Sequence, residues 1–421
     1  MSQIRYWIWL TTIPDLSVRA QLRLLDAFDS PKEVFLADQE ALDQVEGLTQ
    51  RERQQLKRRD LRRADRVLED CRQERIHILT MQDAAYPMRL RAIAVPPPVL
   101  YYKGELLAFD NLPTVAVVGA RKASGYGLAT AKRMGYQLGL CGGAVVSGAA
   151  KGIDSLALEG ALSAGAPVAA VLGNGLDIVY PSEAGRLYRD VEEHGCLISE
   201  FIPGTRPLPG NFPRRNRIMS GLSLGVLVVE AAKKSGSLIT AEYALEQGRD
   251  VYAVPGNVGL DCCAGSNQLI QDGAGLAATG WDVLQAYQVQ FPDRLRRREG
   301  GGRLTLSPQD AKYIHRPEET EESPSNSGEN SHIMAQDPPK TEKRIDNEPK
   351  RNYIDLQQVI QTLTQDELDL VNILKNGQMH VDDIILQSGL PAARVLSSLT
   401  LLEVKGYVTQ QPGKRFDLNL K

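Results

Sequence analysis

Between residues 114 and 285, short runs of Val, Ala, Ile and Leu alternate with longer stretches of helical periodicity, and no other feature restricts the chain as much. Alternation of this kind is the rhythm of βαβ units in a parallel sheet. The expected strands are Val115 to Val118, Ala144 to Ser147, Val168 to Leu172, Leu197 to Ser199, Val226 to Val229 and Val251 to Val254. Each is continuously apolar, as a strand must be when helices cover both faces of its sheet. The fold class is therefore α/β, with further elements on either side.

A chain of 421 residues exceeds what one hydrophobic core serves, which predicts two to four units at roughly 100 to 200 residues each. Residues 1 to 80 read as helical, with Leu16, Leu22, Leu25, Phe28, Val34 and Phe35 at helical spacings. The basic run from Arg51 to Arg63 reads first as a solvated mixed-charge face. From about Phe291 to Arg351 the chain is rich in Arg, Glu, Pro, Ser and Asn, too polar to offset its ordering entropy by burial, and is expected to be a disordered linker. Pattern returns over 353 to 421. Helices are expected near Gln365 to Lys375, Val381 to Gln387 and Pro391 to Lys405, followed by strands around Tyr407 to Gln411 and Arg415 to Leu420. Three helices and a hairpin suggest a winged helix, its third helix the candidate groove reader.

No stretch supplies the roughly 18 apolar residues of a membrane span, and the N-terminus has neither a long apolar run nor a small-residue cleavage site. A cytoplasmic protein with no membrane partner is expected. The five cysteines form no C-x-x-C pair, and adjacent Cys262 and Cys263 lack zinc-knuckle spacing, so the cysteines read as reduced and structural, with no metal. A net charge of -3 means that any nucleic-acid site must be a local concentration of Lys and Arg.

Such concentrations occur where strands give way to helices. The first strand runs into Gly119-Ala120-Arg121-Lys122-Ala123-Ser124-Gly125-Tyr126-Gly127, which resembles a dinucleotide fingerprint but departs from it twice. Arg121 stands where the second glycine would approach a pyrophosphate, and the next strand ends in Ser147-Gly148 rather than in a ribose-binding acid. What remains is a phosphate site built from a glycine turn and a guanidinium. The competing reading pairs Arg121 with a carboxylate and assigns the glycines to packing. The second turn, Ser147-Gly148-Ala149-Ala150-Lys151-Gly152, places Lys151 on the same sheet edge, and Asp154 beyond it either caps a helix or meets the ligand.

In the third segment, Asn211-Phe212-Pro213-Arg214-Arg215-Asn216-Arg217, Pro213 is expected at the first helical position, so that Arg214, Arg215 and Arg217 oppose the helix dipole. A bound anion removes that conflict; screening by water and carboxylates is the alternative. A fourth turn carries Lys234, Ser235, Gly236 and Ser237. Cationic loops sharing one edge suit a polyanion tracked over several phosphates, with Tyr126 and Phe212 available to stack bases, although core packing is the default for Phe212. Catalytic patterns are poor. The five histidines are scattered and no Ser/His/Asp or H-E-x-x-H arrangement occurs, while Glu200 and Glu230, ending strands at the same edge, leave a paired-carboxylate site open. In the C-terminal module Arg394, Ser397, Ser398, Lys405, Lys414 and Arg415 are sparse for reading duplex sequence, leaving weak duplex binding and a protein-partner surface equally open.

Taken in order, Gly119-x-Arg121 with Ser124-Gly125-Tyr126-Gly127, Ser147-Gly148 to Gly152-Ile153-Asp154, Gly173-x-Gly175-Leu176-Asp177 before Tyr180-Pro181, Ser199-Glu200 and Phe212-Pro213-x-Arg215-Asn216-Arg217-Ile218 resemble the DNA-processing protein A (DprA/Smf) family. Glu230-Ala231, Ser235 to Ala241, Gly248-Arg249, Val254-Pro255-Gly256 and Gly265-Ser266-Asn267 to Asp272-Gly273-Ala274 continue the match. Leu158 departs from it, standing where the family usually has histidine. The resemblance implies a helical (SAM-like) domain over 1–80, an extended Rossmann-like domain with its lead-in over 81–290 and a winged helix over 353–421; the linker expected over 291–352 lies outside it. The resemblance also implies binding and protection of single-stranded DNA and loading of the RecA recombinase in natural transformation, by a homodimer that is not an enzyme and takes no cofactor. Its DNA-binding residues are expected to be Gly119, Arg121, Ser124, Tyr126, Gly127, Ser147, Gly148, Lys151, Gly152, Arg214, Arg215, Asn216, Arg217, Lys234, Ser235, Gly236 and Ser237. Two alternatives are a nucleotide-hydrolysing enzyme of the lysine-decarboxylase-like Rossmann group, whose P-G-G-x-G-T motif is absent, and a duplex-DNA regulator acting through the winged helix.

Overall fold

A computed structural model of the chain describes residues 3–298, 363–375, 377–404, 407–411 and 415–418, which fall into two compact units, one on each side of the gap at 299–362. The first unit begins with helices α1 (Ile4–Thr12), α2 (Val18–Ala27), α3 (Pro31–Leu36), α4 (Gln39–Asp43), α5 (Gln50–Leu56) and α6 (Arg62–Gln73). Four of them start on local capping chemistry: the side chains of Ser17, Ser30 and Asp38 accept first-turn N–H groups of α2, α3 and α4, and Thr49 with Glu52 forms a capping box at α5.

The sheet that follows has nine strands: β1 (His77–Thr80), β2 (Val99–Gly104), β3 (Thr114–Val118), β4 (Ala144–Ser147), β5 (Val168–Leu172), β6 (Gly195–Ser199), β7 (Gly225–Val228), β8 (Asp250–Ala253) and β9 (Gly275–Leu276). Their spatial order is β1-β2-β6-β5-β4-β3-β7-β8-β9. Strands β3 to β8 are the six expected from sequence, and all pair in parallel. Antiparallel β1 and β2 were not foreseen; they extend the sheet past β6 through pairs such as Tyr101 with Ser199. Strand β1 lies at the end of the segment assigned to the helical N-terminal domain.

Connecting helices are α7 (Met88–Arg91), α8 (Gly125–Leu140), α9 (Ile153–Ser163), α10 (Gly185–His194), α11 (Asn211–Gly221), α12 (Leu238–Glu246), α13 (Ala264–Gln271) and α14 (Gly280–Leu284). Alternate residues of β3 face opposite cores. Val115 and Val117 pack with Leu128, Met134, Leu156 and the N-terminal helices, whereas Ala116 and Val118 pack with Ile218, Met219 and Ala241. This two-sided burial is the reason the strands read as unbroken apolar runs.

The chain winds from β3 through β4 and β5 to β6 toward one edge, then crosses back to β7 on the opposite side of β3. The crevice beyond the carboxyl ends of β3 and β7 is thus the topological switch point, where open α/β sheets bind ligands. Phe291 and Leu295, placed in the linker by composition, are buried in the first core; residues 299–352 of the expected linker lie outside the described residues.

The second unit contains α15 (Gln365–Leu374), β10 (Met379–His380), α16 (Val381–Ser388), α17 (Ala392–Val404), β11 (Val408–Gln411) and β12 (Arg415–Leu418). Leu370, Leu374, Ile384, Val395, Leu399 and Phe416 form its core, and the sheet order is β10-β12-β11, a winged helix. Arg394 of the expected reading helix is held by Asp366, with Nε and Nη2 each donating at 2.8 Å. Lys405 and Lys414 lie outside the described residues.

Candidate nucleic-acid interface

The switch-point crevice is a cleft of about 590 Å³. Gly119, Arg121 and Lys122 line it from the turn after β3, Lys234, Ser235, Gly236 and Ser237 from the turn after β7, and Phe212, Arg215 and Asn216 from α11. Three of the four expected segments therefore converge. The second turn enters the cleft through Ala150 and Asp154. Lys151 is exposed but does not line the cleft.

Helix α8 explains why a dinucleotide fingerprint fails here. Ser124 is its N-cap, its Oγ accepting from the Gly127 N–H at 3.0 Å. The Ser124 N–H donates to Oε1 of Glu230 at 2.8 Å, and the Ser124 hydroxyl donates to Oε2. Glu230 is 1% exposed, so the chain's own carboxylate sits at the helix N-terminus where a cofactor's pyrophosphate would otherwise bind. Gly127 is required by this arrangement, because a Cβ there would lie 2.5 Å from Oε2 of Glu230. Tyr126 is exposed beside the helix start, its hydroxyl donating to the Pro255 carbonyl at 3.4 Å.

The neighbouring turn supports the first from below. Ser147 is buried and donates from its hydroxyl to the Val117 carbonyl at 2.6 Å, tying β4 to β3. Gly152, at φ 95°, lies so close that a Cβ would meet the carbonyl oxygens of Ala120 and Arg121 at 2.5 and 2.7 Å. These residues hold the Arg121 turn in place, whereas Arg121 itself is exposed.

Phe212 organises the cleft. The Arg121 guanidinium carbon stands 4.8 Å from its ring centroid, that of Arg215 stands 5.9 Å away, and the Tyr180 ring lies 5.8 Å away, tilted by 40°. Phe212 is only half-buried, so the default reading of it as core is corrected: it is a cleft wall. Among the described residues no carboxylate lies within ion-pair distance of Arg121, Lys122 or Lys234. Helix α12 begins at this wall with no side-chain cap from Ser237, although the N–H groups of Leu238 and Thr240 already donate to the carbonyls of Ser235 and Ser237.

Helix α11 begins at Asn211, not at Pro213, which stands third and still needs no intrahelical partner for its missing N–H. The three arginines then diverge. Arg215, 3% exposed, donates from Nη1 to the carbonyls of Gly148, at 2.9 Å, and Val171, and from Nε to Oδ1 of Asn216 at 3.2 Å. It clamps α11 onto β5 and the second turn while setting a fixed positive charge at the base of the cleft. Asn216 donates to the Gly236 carbonyl at 3.4 Å, linking α11 to the fourth turn.

Arg214 and Arg217 were expected beside Arg215, but they line a different cleft, of about 650 Å³, against residues of α1 and α2, the segment joining them, and α12. Arg217 is held there by Glu200, Nη2 to Oε1 at 2.6 Å, with both side chains 8% exposed. The carboxylate reading, not the bound anion, accounts for Arg217. Glu200 and Glu230, weighed as a catalytic pair, are each engaged by their own partner, Arg217 and Ser124.

Tyr180 and Lys122 line the cleft without having been singled out as ligands in the sequence, and Asp154, weighed there as a helix cap or a ligand contact, lines it too. Lys122 was legible as the neighbour of Arg121. Burial pushes the Asp154 carboxyl up to about 6, against the opposing pull of Arg215, hydrogen bonds from Ala150 and Gly148, and Arg121. Because the folded acid holds its proton above the ordinary carboxyl range, about 3.9, the native state gains stability as pH falls from about 6 toward about 4. Above that window the carboxylate offsets the charges of Arg215 and Arg121. Polyanion affinity is therefore expected to rise as pH drops from about 7 to about 5. Asp154→Asn should flatten that rise in a fluorescence titration; an unchanged pH profile would assign it to another group.

A DNA recombination-mediator protein A family model matches residues 77–288, and a DprA winged helix domain model matches residues 355–414. The Smf protein of Synechocystis sp. is 30% identical over 420 residues, covering 99% of this chain and 98% of its own. The DNA processing protein DprA of Streptococcus pneumoniae is 44% identical over 210 residues, 49% of this chain and 72% of its own. An X-ray structure of DprA from Streptococcus pneumoniae covers 67% of this chain and 97% of its own, with a TM-score of 0.59 at 34% identity.

Proposed function

The chain belongs to the DNA recombination-mediator protein A (DprA/Smf) family, and from that premise we propose that it binds single-stranded DNA in the switch-point cleft, protects it and loads RecA onto it. DNA processing in recombination is the work of the family; the strand preference, the RecA partnership and a homodimeric state are the finer parts of the reading. The observation that carries it is the Phe212 ring flanked by the Arg121 guanidinium, with Lys122 and Lys234 lining the same cleft and, among the described residues, in no ion pair. Cations track a phosphate backbone and aromatic faces take unstacked bases, which a single strand offers and a duplex hides. Glu230 fills the pyrophosphate seat, so the cleft favours phosphates passing over its rim rather than a cofactor enclosed at the helix start.

The pairing of Arg394 with Asp366 takes from the winged helix one of its few cations, which weighs against duplex reading as the main activity. Loading is tested on single-stranded DNA coated with single-strand-binding protein. Adding the full chain should shorten the lag before RecA hydrolyses ATP. An unchanged lag, with the DNA demonstrably bound, would remove RecA loading while leaving strand binding in place.

A further inference from the structure

Adjacent cysteines cannot by themselves supply the spacing of a zinc knuckle, but the fold brings them a third ligand from a different strand end. The 3-10 turn Asp261–Cys263 packs beside the turn after β7, and Sγ of Cys262, Sγ of Cys263 and a carboxylate oxygen of Glu230 all lie within 4.8 Å of one another. The two sulfurs are 3.7 Å apart. Two thiolates on one tetrahedral zinc ion, at about 2.3 Å each, stand about 3.8 Å from each other, so the observed separation needs little adjustment.

Two further features favour a cation here. Glu230 is 1% exposed, and among the described residues no basic side chain lies within ion-pair distance of it; Ser124 alone donates to it, leaving lone pairs on both oxygens. The backbone also makes room for sulfur: a side chain at Gly256 would collide with Sγ of Cys263. Cys262 is part-exposed and lines the switch-point cleft, whereas Cys263 and Glu230 are buried. The donor set is thus two soft sulfurs and one oxygen, with one member open to solvent.

We propose that Cys262, Cys263 and Glu230 form a site for a thiophilic divalent ion of the zinc class, with its fourth position left to water or to a phosphate oxygen in the cleft. Three protein ligands and one exchangeable position is the arrangement of open rather than closed zinc sites. Binding displaces the two thiol protons and leaves both sulfurs as thiolates on the ion. The site stands independently of the strand-binding reading, since metal uptake is measured without DNA.

The test is equilibrium dialysis of the reduced full chain against Zn²⁺, with Co²⁺ in parallel to reveal thiolate-to-metal charge transfer. One zinc ion per chain is expected, together with a cobalt charge-transfer band. Cys262→Ser and Cys263→Ser should each weaken zinc binding by more than about 100-fold, since losing even a supporting partner of a ligand costs about 10- to 100-fold. Cys141→Ser, at a buried cysteine of the main core, should leave zinc binding unchanged. Should a variant fail to fold, the unaltered chain still decides the matter: stoichiometric Zn²⁺ should shield Cys262 and Cys263 from alkylation, read by peptide mass. No zinc uptake, uptake undiminished in both cysteine variants, or equal alkylation with and without zinc would each overturn the proposal.

Discussion

Arg121→Ala is expected to lower affinity for oligo-dT by about tenfold or more while leaving the unfolding transition where it was. The guanidinium is exposed, so little folding energy depends on it. Its phosphate contact, a hydrogen bond to a charged group, is worth about 1.5 to 3 kcal/mol. Phe212→Ala removes the stacking face and should cost about 1 to 3 kcal/mol on the same strand. Because the guanidinium carbon and the ring centroid are 4.8 Å apart, the two losses should not add: the double variant should bind better than the product of the single effects predicts. Arg121→Lys should recover only part, since an ammonium keeps the charge but not the planar fork. Fluorescence anisotropy checks all four proteins. Full affinity in Phe212→Ala would take the aromatic wall out of the site.

Arg217→Ala should do the reverse, acting on stability and not on the cleft. Arg217 and Glu200 pair at 2.6 Å with both side chains 8% exposed, and each has one buried atom, Nη1 and Oε2, without a hydrogen-bond partner. Removing the arginine leaves the buried Glu200 carboxylate with only the exposed Arg214, 4.0 Å away, which should cost up to about 3 to 5 kcal/mol. Replacing both members together, as Arg217→Met with Glu200→Leu, should restore most of that loss, because the expense lies in the unpaired charge. Denaturant melts measure the cycle. Strand affinity of the folded double variant should match that of the unaltered chain, since Arg217 lines the second cleft rather than the first. A stable Arg217→Ala with weakened strand binding would return Arg217 to the DNA site.

This contrast marks where reading the residues stopped being sufficient. The six parallel strands were legible because burial on both faces leaves unbroken apolar runs in the sequence. Strands β1 and β2 were not, because His77–Thr80 is short and partly exposed and Val99–Gly104 is apolar only in its first half. Gly119, Arg121 and the turn from Lys234 to Ser237 were placed at the cleft by the rule that ligands meet the carboxyl ends of strands, and they lie there, whereas Lys151, placed by the same rule, does not; Arg215 and Asn216, singled out by the helix-dipole conflict of their segment, line it as well. The rule has no power over Arg214 and Arg217. They share a helix with Arg215, but its rotation carries them to the opposite side, and the partner that claims Arg217 is Glu200, distant in sequence. The same holds for Glu230, whose capture by Ser124 joins residues 106 positions apart. Long-range polar pairing leaves no local periodicity, so it appears only once the fold is known.

The salt dependence of oligo-dT binding, measured for the unaltered chain and for Arg121→Ala beside a matched duplex, tests the switch-point cleft most directly. Each phosphate contact on a single strand adds about 0.7 to the slope of log affinity against log salt. Tighter binding of the single strand than of the duplex, with a slope that becomes shallower by about that amount in Arg121→Ala, is the predicted result. Equal slopes for the two proteins, or a preference for the duplex, would place the DNA somewhere other than this cleft.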